Sequence, residues 1–282
     1  MENVFIGSDA LACGQLTEHE LRRWYRPIFR NVYASKDLEP SLRVRTTGAW
    51  LRTRRQGVVA GVAASALHGA SWVDDDQDIE MIATSMRPQP GLIVRNETLA
   101  DDEVTWACRL PVTTRVRTAF DLGRYLPRGE ALARLDALMR VQLFSTEDVL
   151  LLAKRYPRAR GLKCLRNVLP LIDGGADSPR ETWLRLLYID AGLPVPTTQI
   201  PVCDHRGRLI RILDMGWPDY MVASEYDGDR HQTDRDRYVR DMRVMRTLRR
   251  IGWDVTQVIK EDRPEEIVER ARTALTARGW RP

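Results

Sequence analysis

Asp214, Glu225, Asp227 and His231 fall in one stretch, LIRILDMGWPDYMVASEYDGDRHQ, from Leu209 to Gln232. Two apolar runs meet there, Leu209–Asp214 and Tyr220–Tyr226, with the turn residues Gly216–Trp217–Pro218–Asp219 between them. If the runs are antiparallel strands, Asp214 ends one and Glu225 sits on the next, so both carboxylates converge. An acid among Val, Ile, Leu and Met is costly unless something compensates it, and for two acids a divalent cation does so most economically. Mg2+ (or Mn2+) takes oxygen ligands, commonly one or two carboxylates with several waters kept. Such an ion offsets charge on a scissile phosphate and makes its bound water more acidic. Asp214 and Glu225 are the expected metal ligands, with the backbone carbonyl of Tyr226 a further one. Asp227 returns to the face of Glu225 and could hold a metal water, while Tyr226 points its side chain the other way. His231 fits either a base or leaving-group acid or a plain helix-start cap. Asp219 reads as turn chemistry, although Pro218–Asp219 spells a "PD".

The elements that must position these residues are legible over the last third of the chain. Ser178–Pro179–Arg180–Glu181 starts a helix, with Ser at the N-cap, Pro at N1 and Glu at N3. Capping explains Glu181; a place near the metal is its second reading. That helix runs to Ala191 and closes at Gly192. A strand over Thr197–Cys203, the two acid-bearing strands, a helix over Asp234–Ile251, a strand over Trp253–Ile259 and a helix over Pro264–Arg278 complete an α-β-β-β-α-β-α order. Tyr238, Met242, Met245 and Leu248 give the long helix an apolar side. Arg240, Arg243, Arg246 and Arg250 recur at helical spacing on a basic face that either follows a phosphate backbone or is simply solvated.

Asp214…Glu225-x-Asp227-Gly228…His231 in that order of elements resembles the PD-(D/E)xK nuclease superfamily, and more closely the Vsr-like (very-short-patch-repair-like) endonucleases. The resemblance covers residues 178–280 and implies a restriction-endonuclease-like α/β domain acting on DNA phosphodiesters. In that pattern a Lys commonly stands where this chain has Asp227, a departure that counts against full activity.

Upstream, Leu16–Tyr25 reads as a helix with Thr17 as N-cap and Glu20 completing a capping box. A basic stretch and a strand over Asn31–Ser35 follow. LTEHELRRWYRPIFRNVYAS, with the Ala-rich VVAGVAASALHGA, resembles the N-terminal region of AbiEi-like type IV antitoxin regulators. That likeness implies a winged helix-turn-helix bound to DNA through Arg22, Arg23, Arg26 and Arg30; a helical cap without DNA contact is the plainer reading. Val58–Ala70 reads as one buried helix. Ile79–Ala83, Leu92–Arg95 and Val104–Leu110 read as strands, Val112–Leu122 as a strand turning into a helix, and Glu130–Val141 and Thr146–Tyr156 as helices. Arg115, Arg117 and Asp121 are expected to form a structural ion pair.

The expected divisions are a winged-helix-like region over 1–57, a mixed α/β segment over 58–170, a linker over 171–177 and the nuclease-like domain over 178–282. The fold class is thus α/β (α+β). With 282 residues and 43% apolar content the chain suggests about two globular domains. Cys13, Cys108, Cys164 and Cys203 are scattered without a CxxC pair, which argues against a zinc site or disulfide framework and for small apolar residues. No window of apolar residues is long enough to span a membrane, and MENVFIGSDALAC lacks a basic signal region, so a cytoplasmic protein is expected. Net charge is +5 but uneven: residues 1–60 hold ten Lys/Arg against six Asp/Glu, and residues 234–250 seven Arg against three Asp. Basic ends suit a polyanionic partner. The expected activity is metal-dependent endonucleolytic hydrolysis of DNA, in repair or defence, for which a homodimer is plausible. The alternative is an antitoxin-like DNA-binding transcriptional regulator with an inactive nuclease-like domain.

Overall fold

The computed structural model describes residues 4–84, 86–227 and 235–281, without the side chains of 236–238. It is a mixed α/β protein, with three sheets and eleven α-helices among the described residues. The chain divides into two compact units, Met1–Ile172 and Asp173–Pro282.

The first unit opens with β1 (Val4–Ile6), α1 (Gly7–Ala12), α2 (Glu18–Trp24), β2 (Tyr25–Phe29) and β3 (Val32–Ser35), the strands forming a sheet in the order β1-β3-β2. The Thr17 capping box is present: the Glu20 carboxylate accepts the Thr17 backbone N–H at 2.8 Å, and the Thr17 hydroxyl accepts the Glu20 N–H at 3.2 Å. Asn31 turns the β2–β3 hairpin at φ 62°, a left-handed conformation that Asn tolerates. Its side chain also caps α1, accepting the Ser8 N–H at 2.9 Å. A third helix, α3 (Leu42–Arg52), was not legible in the sequence; its N-cap Ser41 accepts the Val44 N–H. Val4, Phe29, Val32, Ala34, Ala49 and Leu51 pack in one core with Val59, Ala63, Ile79, Met81, Leu92 and Val112.

The single helix expected over Val58–Ala70 is instead β4 (Val58–Ala60) followed by α4 (Gly61–Leu67). β4 lies between β5 (Ile79–Ile82) and β8 (Leu110–Thr113), and Gly61 makes the break at φ +59°. Any side chain at Gly61 would also run into the Glu80 carboxylate. With β6 (Leu92–Arg95) and β7 (Val104–Ala107) the sheet order is β6-β5-β4-β8-β7. The strand expected over Val104–Leu110 is a tight hairpin, because Cys108 and Arg109 both take positive φ, as a two-residue turn between antiparallel strands requires. Thr114 then caps α5 (Arg115–Tyr125), followed by α6 (Arg128–Val141), α7 (Thr146–Arg155) and α8 (Leu162–Val168). All four cysteines are exposed, so they are not core residues.

Arg117, 1% exposed, is the centre of a buried charge network. It donates to Asp121 at 3.0 Å and to Glu103 and Glu97 at 2.5 Å each. Arg124 adds bonds to Asp121 and Glu97, and the Tyr125 and Tyr156 hydroxyls donate to Glu97 and Glu103. Of the three residues expected to pair, Arg117 and Asp121 do; Arg115 makes no bond in this network among the described residues, and two acids 14 and 20 residues from Arg117 join instead.

The second unit runs α9 (Pro179–Asp190), β9 (Thr197–Cys203), β10 (Leu209–Trp217), β11 (Val222–Tyr226), α10 (Arg235–Arg250), β12 (Asp254–Val258) and α11 (Pro264–Ala277). The sheet order is β12-β11-β10-β9, antiparallel across β9, β10 and β11, and parallel between β11 and β12. β10 extends three residues past the expected end, so Asp214 sits inside the strand, and the reversal is a single 3-10 turn at Pro218–Tyr220. Gly216 allows β10 to approach β11 there: a Cβ would lie 2.6 Å from Ala223 Cα and closer still to the Val222 carbonyl. Leu184, Tyr188, Met215, Trp217, Val258, Ile267 and Leu275 fill one core of this unit. Ile200, Val202, Leu213, Ala223, Leu248 and Trp253 fill another.

Candidate functional site

β10 and β11 pair antiparallel, with Met215 opposite Ser224 in the register, and β11 sets Glu225 beside Gln257 of β12. Asp214, Glu225, Tyr226 and Asp227 thereby line one pocket of about 190 Å³, together with Arg211, Gln257 and three residues of α10, Asp241, Met242 and Met245. The strand reading therefore brings four of its predicted residues together. His231 lies outside the described residues. Glu181 does not line the pocket. Its Oε2 accepts the Asp177 N–H at 2.8 Å and its Oε1 the Ser178 hydroxyl at 2.9 Å, while Ser178, the N-cap, accepts the Glu181 N–H; the carboxylate thus serves the helix start, one residue before the N-cap.

The pocket is electrostatically tense. Burial pushes the Asp214 carboxyl above its ordinary range, opposed by the Tyr226 N–H, which donates to Oδ2 at 2.8 Å, and by the Arg211 charge. Burial also raises Glu225; its bond from Arg211 opposes the rise, and the charges of Asp214 and Asp241 add to it. Glu181 is pushed up to about 7, first by burial and then by the charge of Asp214, against the Asp177 hydrogen bond. Arg211, absent from the sequence-based site, donates through Nε to Glu225 Oε1 at 2.5 Å and through Nη1 to Asp241 at 3.1 Å. Burial works against its charge, and the two acids outweigh it. The signal was in the sequence: an Arg inside the apolar run LIRIL must find a partner.

Glu225 is 4% exposed, and its Oε2 has no hydrogen-bond partner among the described residues. A buried acceptor left unsatisfied costs about 1–3 kcal/mol, which a cation at that oxygen would remove. No group of three or more His, Cys, Asp or Glu side chains is arranged to hold a metal among the described residues. Asp214 and Glu225 are the two carboxylates of the pocket that a hard divalent ion keeping several waters would use.

Two basic surfaces accompany the pocket in the sequence. On α10, Arg240, Arg243, Arg246 and Arg250 are all exposed, and Arg249 joins them, while Leu248 is fully buried and Met245 half-buried. The apolar side holds at Met245 and Leu248; Met242 is 39% exposed, and the Tyr238 side chain is outside the described set. In the first unit, Arg22 and Arg23 are exposed on α2, Arg22 pairing with Glu18 at 3.1 Å and Arg23 lying 4.7 Å from the ring of Trp24. Trp24 is itself 54% exposed. Lys36 reaches back to the last carbonyls of α2, those of Arg22 and Arg23, at 2.8 and 3.0 Å. Arg30 is exposed at the β2–β3 turn, whereas Arg26 is half-buried and donates to the Leu38 carbonyl.

Residues 52–171, from the end of α3 through the five-stranded sheet to the end of the first unit, match the family described as the AbiEi antitoxin C-terminal domain. The chain belongs to one family with two proteins of Mycobacterium tuberculosis that span nearly its whole length. These are the uncharacterized proteins Rv2248 of strain H37Rv and MT2308 of strain CDC 1551, each 31% identical over 244 residues, or 86% of this chain and 86% of theirs. Among solved structures, the crystal structure of the RV2827C protein from Mycobacterium tuberculosis is similar over 70% of this chain and 78% of that one, at 15% identity and a TM-score of 0.41. No helix among the described residues is long and apolar enough to cross a membrane.

Proposed function

We propose that this protein is a DNA-binding transcriptional regulator of the antitoxin type. The observation that carries the reading is the arrangement of residues 4–35 ahead of an AbiEi-type domain. Two short helices lead into an antiparallel hairpin, with the first strand laid against it in the order β1-β3-β2. In a winged helix the second of two such helices enters the major groove and the hairpin follows the backbone. Here the second helix presents Arg22, Arg23 and Trp24 to solvent, and the hairpin turn presents Arg30. Guanidinium groups so placed serve phosphate contacts and base edges alike.

Selection of bound sequences from random duplex DNA, followed by titration of the enriched site, tests this reading. A regulator enriches a defined site, and Arg22→Glu with Arg23→Glu weakens binding to it more than tenfold and flattens its salt dependence. No enrichment, or binding untouched by the double change, would sink the reading.

A second reading, metal-dependent endonuclease, is favoured by one observation, the unpaired Oε2 of buried Glu225 beside Asp214. Asp214 and Glu225 would hold Mg2+ or Mn2+, and the ion would offset phosphate charge and acidify bound water. Asp227 would then hold a metal water and His231 assist proton transfer. Nicking of supercoiled plasmid with Mg2+ or Mn2+ distinguishes the readings: the endonuclease nicks and loses the activity in both Asp214→Ala and Glu225→Ala, and a regulator does not nick.

A further inference from the structure

Among the described residues, four carboxylates line the acid pocket, Asp214, Glu225, Asp227 and Asp241, together with one guanidinium, that of Arg211. Arg211 reaches Glu225 from the neighbouring strand and is tethered on its other side by Asp241 of α10. Its guanidinium stays charged at any ordinary pH. It engages only Oε1 of Glu225, and the buried Oε2 has no partner among the described residues. One cation already in the pocket lowers the repulsion that carboxylates so close would otherwise suffer, and its charge opposes the entry of a second.

We propose that Arg211 is a built-in counter-cation of this pocket: it holds Oε1 of Glu225, stands in for part of the charge a divalent ion would supply at Oε2, and thereby sets a weak affinity for that ion. The proposal rests on the metal reading of Asp214 and Glu225. Arg211 is on this view a tuning residue that acts through Glu225. It goes beyond the regulator reading by making the second unit a site whose occupancy is set by divalent-ion concentration.

The test is calorimetric titration of Mn2+ into the full chain and its Arg211→Gln and Arg211→Lys variants, with Asp214→Asn as the ligand control. Arg211→Gln is expected to bind Mn2+ about tenfold more tightly, the effect of removing one unit charge roughly 6 Å from a divalent ion even at the dielectric of water. Arg211→Lys keeps the charge and is expected to stay within about threefold of the parent. Thermal unfolding gives a readout independent of affinity: Arg211→Gln should lose stability without metal and regain it with Mn2+, more than the parent does. A parent that binds Mn2+ through Asp214 while Arg211→Gln binds no more tightly overturns the counter-cation and leaves the metal site standing. Tightening in Arg211→Lys as well overturns it too. Absence of Mn2+ binding in the parent and in every variant overturns the metal reading and the counter-cation with it. A variant Arg211→Gln that stays unfolded at saturating Mn2+ also counts against the proposal, because the ion then fails to replace the lost charge.

Discussion

Replacing Glu181 by Gln should make the second unit more stable at alkaline pH and leave it unchanged in acid. Glu181 is 7% exposed, and burial together with the charge of Asp214 lifts its carboxyl from 4.5 to about 7. The folded chain therefore holds this proton more tightly than the unfolded one. Its contribution to stability is complete below pH 4.5, declines as pH rises, and is lost once pH passes 7. A rise of about 2.5 units corresponds to roughly 3 kcal/mol between those limits. The Asp177 N–H and the Ser178 hydroxyl use different oxygens of Glu181; Gln keeps one acceptor, which the Asp177 N–H can use, and its amide N–H2 can donate to the Ser178 hydroxyl in place of accepting from it. The difference in stability between variant and parent should thus be near zero at pH 4.5 and grow to about 3 kcal/mol by pH 8. At roughly 4 °C per kcal/mol that is about 12 °C in the transition of this unit. Scanning calorimetry of both proteins across that pH range measures it, and taking the difference cancels groups common to both. A difference independent of pH would refute the reasoning. A Gln variant less stable than the parent at both ends would show instead that both carboxyl oxygens are needed for the hydrogen bonds at the helix start.

In the first unit, Arg117→Met should cost about 3–5 kcal/mol in urea unfolding, because it leaves buried Asp121 and Glu103 short of a cation. Burial already raises the Asp121 carboxyl, so part of that loss should return as pH falls and the acid takes up a proton; a loss equal at pH 5 and pH 8 would contradict this. Gly216→Ala should separate β10 from β11, since its Cβ collides with the backbone at Val222 and Ala223. A destabilisation of about 3 kcal/mol or failure to fold is expected by calorimetry, and a parent-like transition would count against the register.

What the sequence determined by itself was whatever depends on a few neighbouring residues. The caps at Thr17 and Ser178 are hydrogen bonds spanning three residues, so the side chains that make them are adjacent in the text as well as in space. The α-β-β-β-α-β-α order of the second unit and the meeting of Asp214 with Glu225 are legible for a related reason: hydrophobic period and a short turn fix a hairpin locally. Tertiary structure decided what lies between distant segments. Val58–Ala60 runs straight into an Ala-rich helical stretch and reads as part of it, but it becomes a strand because Ile82–Glu80 and Val112 offer it ladder partners. Arg117 finds Glu97 and Glu103, and Arg211 finds Asp241 thirty residues on, through packing that no spacing rule predicts. The same is true of charge: the sequence supplied the acids of the pocket, but only the fold placed Arg211 among them, because a buried carboxylate takes its counter-ion from whichever element the core brings alongside.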